Sequence, residues 1–144
     1  MEIVKIVVCV LSVLNTSIGV ISPYSAQVDC LRRELDALEK RIGKVDLEVS
    51  TIDGYQGREK DIIILSMVRS NENMSTGFIE ETKRMNVAIT RARKLVILIG
   101  DSSTICKADF VFDLVSYIQS KGKKLEIVIK QDETKNHIRI FESK

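Results

Sequence analysis

Four consecutive apolar residues, Ile62-Ile63-Ile64-Leu65, sit in the run Asp61–Val68. A β-strand points successive side chains to opposite faces. A strand that is apolar on both faces must be covered on both, which a parallel sheet sandwiched between helices provides. The rest of the chain supplies matching parts. Ile18–Ser22, Leu47–Ile52, Leu95–Gly100 and Leu125–Lys130 are short apolar runs that read as strands. Ala26–Arg41 repeats Val28, Leu31, Leu35 and Leu38 at helical spacing, with charges between them. Lys83–Lys94 and Ala108–Lys121 read as helices, the second stopped by Gly122, and Asn71–Gly77 reads as a loop. The alternation predicts an α/β fold with a mostly parallel, doubly wound sheet. Residues 1–130 form the expected domain and residues 131–144 a polar tail.

A chain of 144 residues is one domain able to bury a core. Its formal net charge of +2 makes no bulk electrostatic case for nucleic acid, so any such case rests on local placement. Cys9, Cys30 and Cys106 are scattered and odd in number, and His137 is the single histidine. That usage fits reduced thiols inside a cell and makes a metal site an unpromising reading. Ile3–Leu14 is nearly all apolar but too short to span a bilayer. With no small-x-small cleavage site after it, a buried helix or strand is expected there rather than a signal peptide.

Three segments could carry chemistry. In Ser22-Pro23-Tyr24-Ser25-Ala26-Gln27 the proline sets a turn and Ser25 can cap the next helix. Taken alone this is an ordinary strand-to-helix turn. In Thr51–Asp61, Gly54 and Gly57 let backbone amides approach a phosphate or base, Glu59 offers a carboxylate to a ribose hydroxyl, and Arg58 and Lys60 can meet phosphate. The bland alternative is a glycine turn beside a solvated charge run. Val87–Arg93, Val-Ala-Ile-Thr-Arg-Ala-Arg, sets two guanidinium forks among small and apolar residues. On a helical wheel Met85, Ala88, Ile89 and Ala92 form one stripe. Asn86, Thr90, Arg91, Arg93 and Lys94 take the opposite arc, a polar face on a packed base.

These three segments, Ile18–Gln27, Ser50–Asp61 and Arg84–Arg93, resemble motifs IV, V and VI of superfamily 1 helicases, in order and at suitable spacing. The resemblance is to the Upf-like group, and Val68–Asn71, Gly77-Phe78 and Gly100–Ser102 look like the Smubp-type pattern. It covers Ile18–Ser103 clearly and the flanks faintly. It implies a RecA-like, three-layer domain of the P-loop NTPase superfamily. The function implied is that of the C-terminal motor domain of an ATP-dependent 5′-3′ DNA or RNA helicase. Arg91 would be the catalytic arginine finger on the γ-phosphate. Tyr24, Gln27, Gly57, Glu59 and Arg91 would line the ATP site. Asn86 and Arg93 would couple that site to the rest of the domain, and Thr51 would touch the nucleic-acid backbone. ATP with Mg2+, single-stranded RNA or DNA and a first RecA-like domain are the implied cofactors and partners, in the nucleus or cytoplasm.

No Gly-x-x-x-x-Gly-Lys followed by Ser or Thr occurs in the chain. Gly43-Lys44 is followed by valine and Gly122-Lys123 by lysine, so nothing here cradles the β- and γ-phosphates. Asp132-Glu133 imitates a Walker B pair but reads as tail charge. The family's first domain, and a strand expected before Glu2, are not in this sequence. The isolated chain is therefore expected to be inactive in ATP hydrolysis. The alternative reading is a stand-alone, non-hydrolysing module that binds nucleic acid or protein.

Overall fold

The computed structural model describes residues 2–67, 82–101, 105–106, 109–131 and 136–142, with backbone alone for residue 2 and for 125–142. Four strands, β1 (Ile18–Ser22), β2 (Leu47–Thr51), β3 (Lys60–Ser66) and β4 (Ala92–Ile99), form one sheet in the order β2-β1-β3-β4. Every neighbour in it is parallel. Helix α1 (Glu2–Ser12) precedes β1, α2 (Ser25–Ile42) joins β1 to β2, α3 (Thr82–Ile89) precedes β4, and α4 (Asp109–Lys121) follows it.

The apolar run on β3 is covered on both faces, as its composition requires. Ile62 and Ile64 pack with Ile18 and Val20 of β1 beneath Val4, Val8 and Leu11 of α1 and Leu31 and Leu35 of α2. Ile63 and Leu65 pack the other way, with Ile21, Tyr55, Met85 and Ala88 of α3 and Val111 of α4. The result is a helix–sheet–helix sandwich, the three-layer α/β arrangement of a RecA-like domain. Residues i and i+2 of one strand share a layer because the pleat alternates. The apolar opening segment is the amphipathic helix α1, held to α2 by Lys5 Nζ donating to Glu34 Oε2 at 2.9 Å. No described helix is long and apolar enough to cross a membrane.

Several boundaries differ from the sequence reading, each for a local reason. The helix expected over Lys83–Lys94 stops at Ile89, because side chains take the carbonyls of its last turn. Thr90 Oγ1 donates to Asn86 O at 2.9 Å and Val87 O at 3.0 Å, and Arg91 Nε donates to Val87 O at 3.0 Å. Ala92 then pairs with Lys60 and the chain is already β4. Ser25 is not the cap of α2; Tyr24 holds that position with no side-chain cap, and its N–H reaches back to Ser22 Oγ at 3.4 Å. The run Leu125–Gln131, β5, does not join the parallel sheet. It pairs antiparallel with β6 (Asn136–Glu142), inside the segment expected to be polar tail. The expected loop 71–77 lies outside the described residues.

One crossing ties the layers together. Between β2 and β3 the chain must return from the carboxyl end of one strand to the amino end of the next, and residues 52–59 do so without a full helix. A 3₁₀ turn at Asp53–Tyr55 drops the fully buried Tyr55 ring onto Gly19 of β1. A side chain at Gly19 would collide with the Tyr55 hydroxyl and stand 2.7 Å from Ile63 Cδ1. That hydroxyl is buried without a hydrogen-bond partner. Burial raises its pKa far above the ordinary phenol value.

Two touching residues should therefore respond with opposite signs in chemical denaturation. Tyr55→Phe removes an unpaired buried hydroxyl and should stabilise the fold by about 1 kcal/mol. Gly19→Ala overpacks the same contact and should cost about 1–3 kcal/mol. A Tyr55→Phe chain less stable than wild type would show that the hydroxyl has a partner in solution.

Candidate functional site

The parallel registers sort the candidate residues onto two ends of the sheet. Ser22 pairs with Thr51 at the carboxyl end. Ile18 pairs with Ile62, so Lys60 lies two residues beyond β1 at the amino end. The separation is six residue steps, about 20 Å along the strands. Thr51, Tyr24 and Gln27 belong to the carboxyl end. Glu59, Arg91 and Arg93 belong to the amino end, where Lys60 N donates to Arg91 O at 3.1 Å. The sequence alone suggests that Thr51–Asp61 is a loop following β2; the structure shows it running from one end of the sheet to the other.

A β-bulge builds the amino end. Lys60 pairs with Ala92 but Ile62 pairs with Leu95, so β4 holds one extra residue. Adjacent residues of a regular strand point to opposite faces. With the bulge, adjacent Arg93 and Lys94 reach Glu59 and Asp61, which share one side of β3 and its approach. Arg93 Nε donates to Glu59 Oε2 at 3.4 Å, and Lys94 Nζ lies 3.3 Å from Asp61 Oδ1. Neighbouring pairs complete the charged rim, Lys60 with Asp46 at 2.6 Å and Arg58 with Glu48. Glu59 remains about half exposed while Arg93 orients it. Gly57, at φ 79°, has nothing within 4 Å of where a Cβ would stand, so its backbone is open beside Glu59.

Arg91 is part-buried and folded back along its own helix end. Besides the bond to Val87 O, its Nη2 donates to Thr90 Oγ1 at 3.2 Å. Arg93 and Lys94 lie on β4, not on the polar arc of a helix, and of that arc only Asn86 is helical. Asn86 is exposed on α3. The expected apolar stripe is real at its helical positions: Met85 and Ala88 are buried, with Ile89 packed beside them.

At the carboxyl end Thr51 Oγ1 accepts from Gly54 N–H at 3.1 Å, leaving its own proton for an incoming acceptor. Gly54 is there for space: a Cβ would stand 2.5 Å from Ser50 Oγ and 3.1 Å from Thr51 Oγ1. Sequence reasoning missed the pair that closes this end. Arg84 Nε and Nη2 donate to the two carboxylate oxygens of Asp53 at 3.1 and 2.9 Å. Thirty-one residues separate them, and no spacing rule links such positions. Among the described residues no cluster of three or more His, Cys, Asp or Glu side chains is placed to hold a metal ion.

Asp61 gives this rim a pH signature. Burial pushes its carboxyl up, but Ser17 N–H and Lys94 outweigh that and hold it below the usual carboxylate range. A lowered folded-state pKa adds stability above the unfolded value, and that stability fades as pH falls through the folded one. The stability gap between wild type and Asp61→Asn should therefore be present at neutral pH and shrink below about pH 4. Thermal melts between neutral and acid pH read this directly. A gap that widens on acidification would contradict the assignment.

The family model described as "AAA domain" matches residues 1–103. Over 90 residues the chain is 50% identical to "DNA polymerase alpha-associated DNA helicase A" of Saccharomyces cerevisiae, covering 62% of this chain and 13% of that protein. Over 106 residues it is 44% identical to "DNA-binding protein SMUBP-2" of Rattus norvegicus, covering 74% of this chain and 10% of that protein. Over 118 residues it is 37% identical to "ATP-dependent helicase upf1" of Schizosaccharomyces pombe, covering 80% and 13% respectively. The chain thus spans only 10–13% of the length of these curated relatives. An all-parallel α/β sandwich that carries the three ordered motifs, together with a family match over residues 1–103, places the chain in the AAA domain family, as a Upf1-like superfamily 1 helicase domain of the SMUBP-2 kind.

Proposed function

We propose that this chain is the second motor half of an ATP-dependent helicase that moves 5′ to 3′ along single-stranded DNA or RNA in the nucleus or cytoplasm. The carrying observation is that Arg91 and Glu59 lie at the same amino end of the sheet, where the N–H of Lys60, next to Glu59, donates to Arg91 O at 3.1 Å. The relatives' names, which speak of DNA helicase, ATP-dependent helicase and DNA binding, support the same reading.

The rim fits one side of a nucleotide site. Gly57 offers open backbone, Glu59 a carboxylate for ribose hydroxyls, and Arg91 a planar cation for phosphate oxygens. ATP held between this domain and a first RecA-like domain would supply the phosphoryl group passed to water. Arg91 would leave Val87 O and Thr90 and turn outward to offset charge that develops on the phosphate oxygens. Arg93 would keep Glu59 in place. By the family resemblance, the Mg2+ that accompanies ATP would take its protein ligands from the first RecA-like domain.

The carboxyl end would meet the nucleic acid. Thr51 presents a hydroxyl donor suited to a phosphate oxygen. The family resemblance puts Tyr24 and Gln27 at the nucleotide, but they lie about 20 Å along the strands from Glu59 and Arg91. In this proposal they flank Thr51 and belong with the nucleic-acid track. Asn86, exposed on α3 between the two ends, keeps its proposed coupling role.

The test uses the gene product that carries this domain. Arg91→Ala should lower ATP turnover about 10³-fold or more while oligonucleotide binding persists. The 144-residue chain alone should hydrolyse no ATP. Turnover by that isolated chain, or wild-type turnover in the Arg91→Ala protein, would sink the reading. A gene product of 16.3 kDa that binds oligonucleotide without turnover would favour the stand-alone binding module instead.

A further inference from the structure

We propose that the Arg84–Asp53 ion pair is a mechanical link through which nucleic acid at Thr51 controls the position of Arg91, with α3 as the connecting rod. The inference rests on the motor reading above and adds two positioning residues to it.

The link is continuous in space. Thr51 Oγ1 holds Gly54 N–H, so a shift of that hydroxyl shifts the 3₁₀ turn that begins at Asp53. The Arg84 fork grips both Asp53 oxygens, and a two-point grip transmits orientation as well as position. Arg84 sits near the start of α3, Ile89 ends the helix five residues on, about 8 Å along its axis, and Arg91 follows in the turn to β4. Met85 and Ala88 seat the rod in the same core cluster as Ile52 and Tyr55 of the crossing segment. At the far end the Arg91 side chain is parked on Val87 O and Thr90 Oγ1 while its own carbonyl is held by Lys60 N–H of β3, so a tilt of α3 against the sheet works on the turn that parks it. In this proposal Arg91 has two arrangements, parked as seen here and extended, and α3 is the element that biases them.

A plain surface staple is the competing account. The pair is partly solvent-exposed, with 33% of the Arg84 and 65% of the Asp53 side chain accessible. Exposed pairs add little to stability, so the variants should fold and the two accounts can be told apart.

The experiment measures ATP turnover in the gene product that carries this domain, with and without single-stranded oligonucleotide. It compares wild type, Arg84→Ala, Asp53→Ala and the exchanged pair R84D/D53R, with melting temperatures and oligonucleotide affinity recorded alongside. Turnover without oligonucleotide, melting temperature and affinity should stay at wild-type levels in both single variants. Stimulation by oligonucleotide should fall about fivefold or more. The exchanged pair should recover it. Wild-type stimulation in both single variants overturns the link, and so does a loss that the exchanged pair fails to recover. An Arg91→Ala protein run in parallel separates the levels. If it has lost turnover while the single variants keep full stimulation, only the link is wrong. If it keeps turnover, the link and the motor reading fall together.

Discussion

Ile62–Leu65 are buried on both faces of β3, and this double burial dictates the architecture around it. It requires helices above and below, and the chain supplies α1 and α2 for one side and α3 and α4 for the other. It also makes β3 interior, with β1 and β4 as parallel neighbours. A parallel neighbour forces every connection to travel the length of the sheet. Most connections do so as helices. Residues 52–59 do so as a short crossing, so that one segment touches both ends of the domain. Tyr55 is the anchor of that crossing, and Gly19 is the space made for it.

The two ends differ in chemistry because they are built differently. The carboxyl end has small buried serines at its strand tips, Ser22, Ser50 and Ser66, and a threonine held by a glycine amide. The amino end is a rim of alternating charge, and the bulge in β4 brings Arg93 and Lys94 to the same side as Glu59 and Asp61. The short helix α3 spans between them, held by an ion pair at its head and by side-chain caps on its last carbonyls. In the proposed function this arrangement would set a cation near one ligand and a sensing pair near another, with a single short element between them. Met85 and Ala88 pack α3 into the core, while the partners at its two ends are polar.

Much of this is legible in the residues. Apolar runs and helical spacing locate β1, α2, β2, β3 and α4 within about two residues, since burial pattern and local geometry agree there. The three ordered motifs point to the family. Other features are not legible. Thr90 and Arg91 end α3 by taking carbonyls with their side chains, and Ala92–Lys94 continue as strand because Lys60 offers a ladder partner. On a helical wheel those same residues make a convincing polar arc. The hairpin of β5 with β6 likewise depends on which strand finds which partner, not on the apolar content of Leu125–Ile129.

Residue order was enough to define the class of fold, the sandwich around β3 and the identity of the chemically able side chains. Those follow from local period and from side-chain type, which need no knowledge of distant neighbours. How the able residues group was settled by folding. It put Glu59, Arg91 and Arg93 on one rim, set Tyr24, Gln27 and Thr51 about 20 Å away along the strands, and joined Arg84 to Asp53. Strand register and a single inserted residue govern such groupings. Both are set by pairing between segments far apart in the chain, and neither leaves a periodic trace in it.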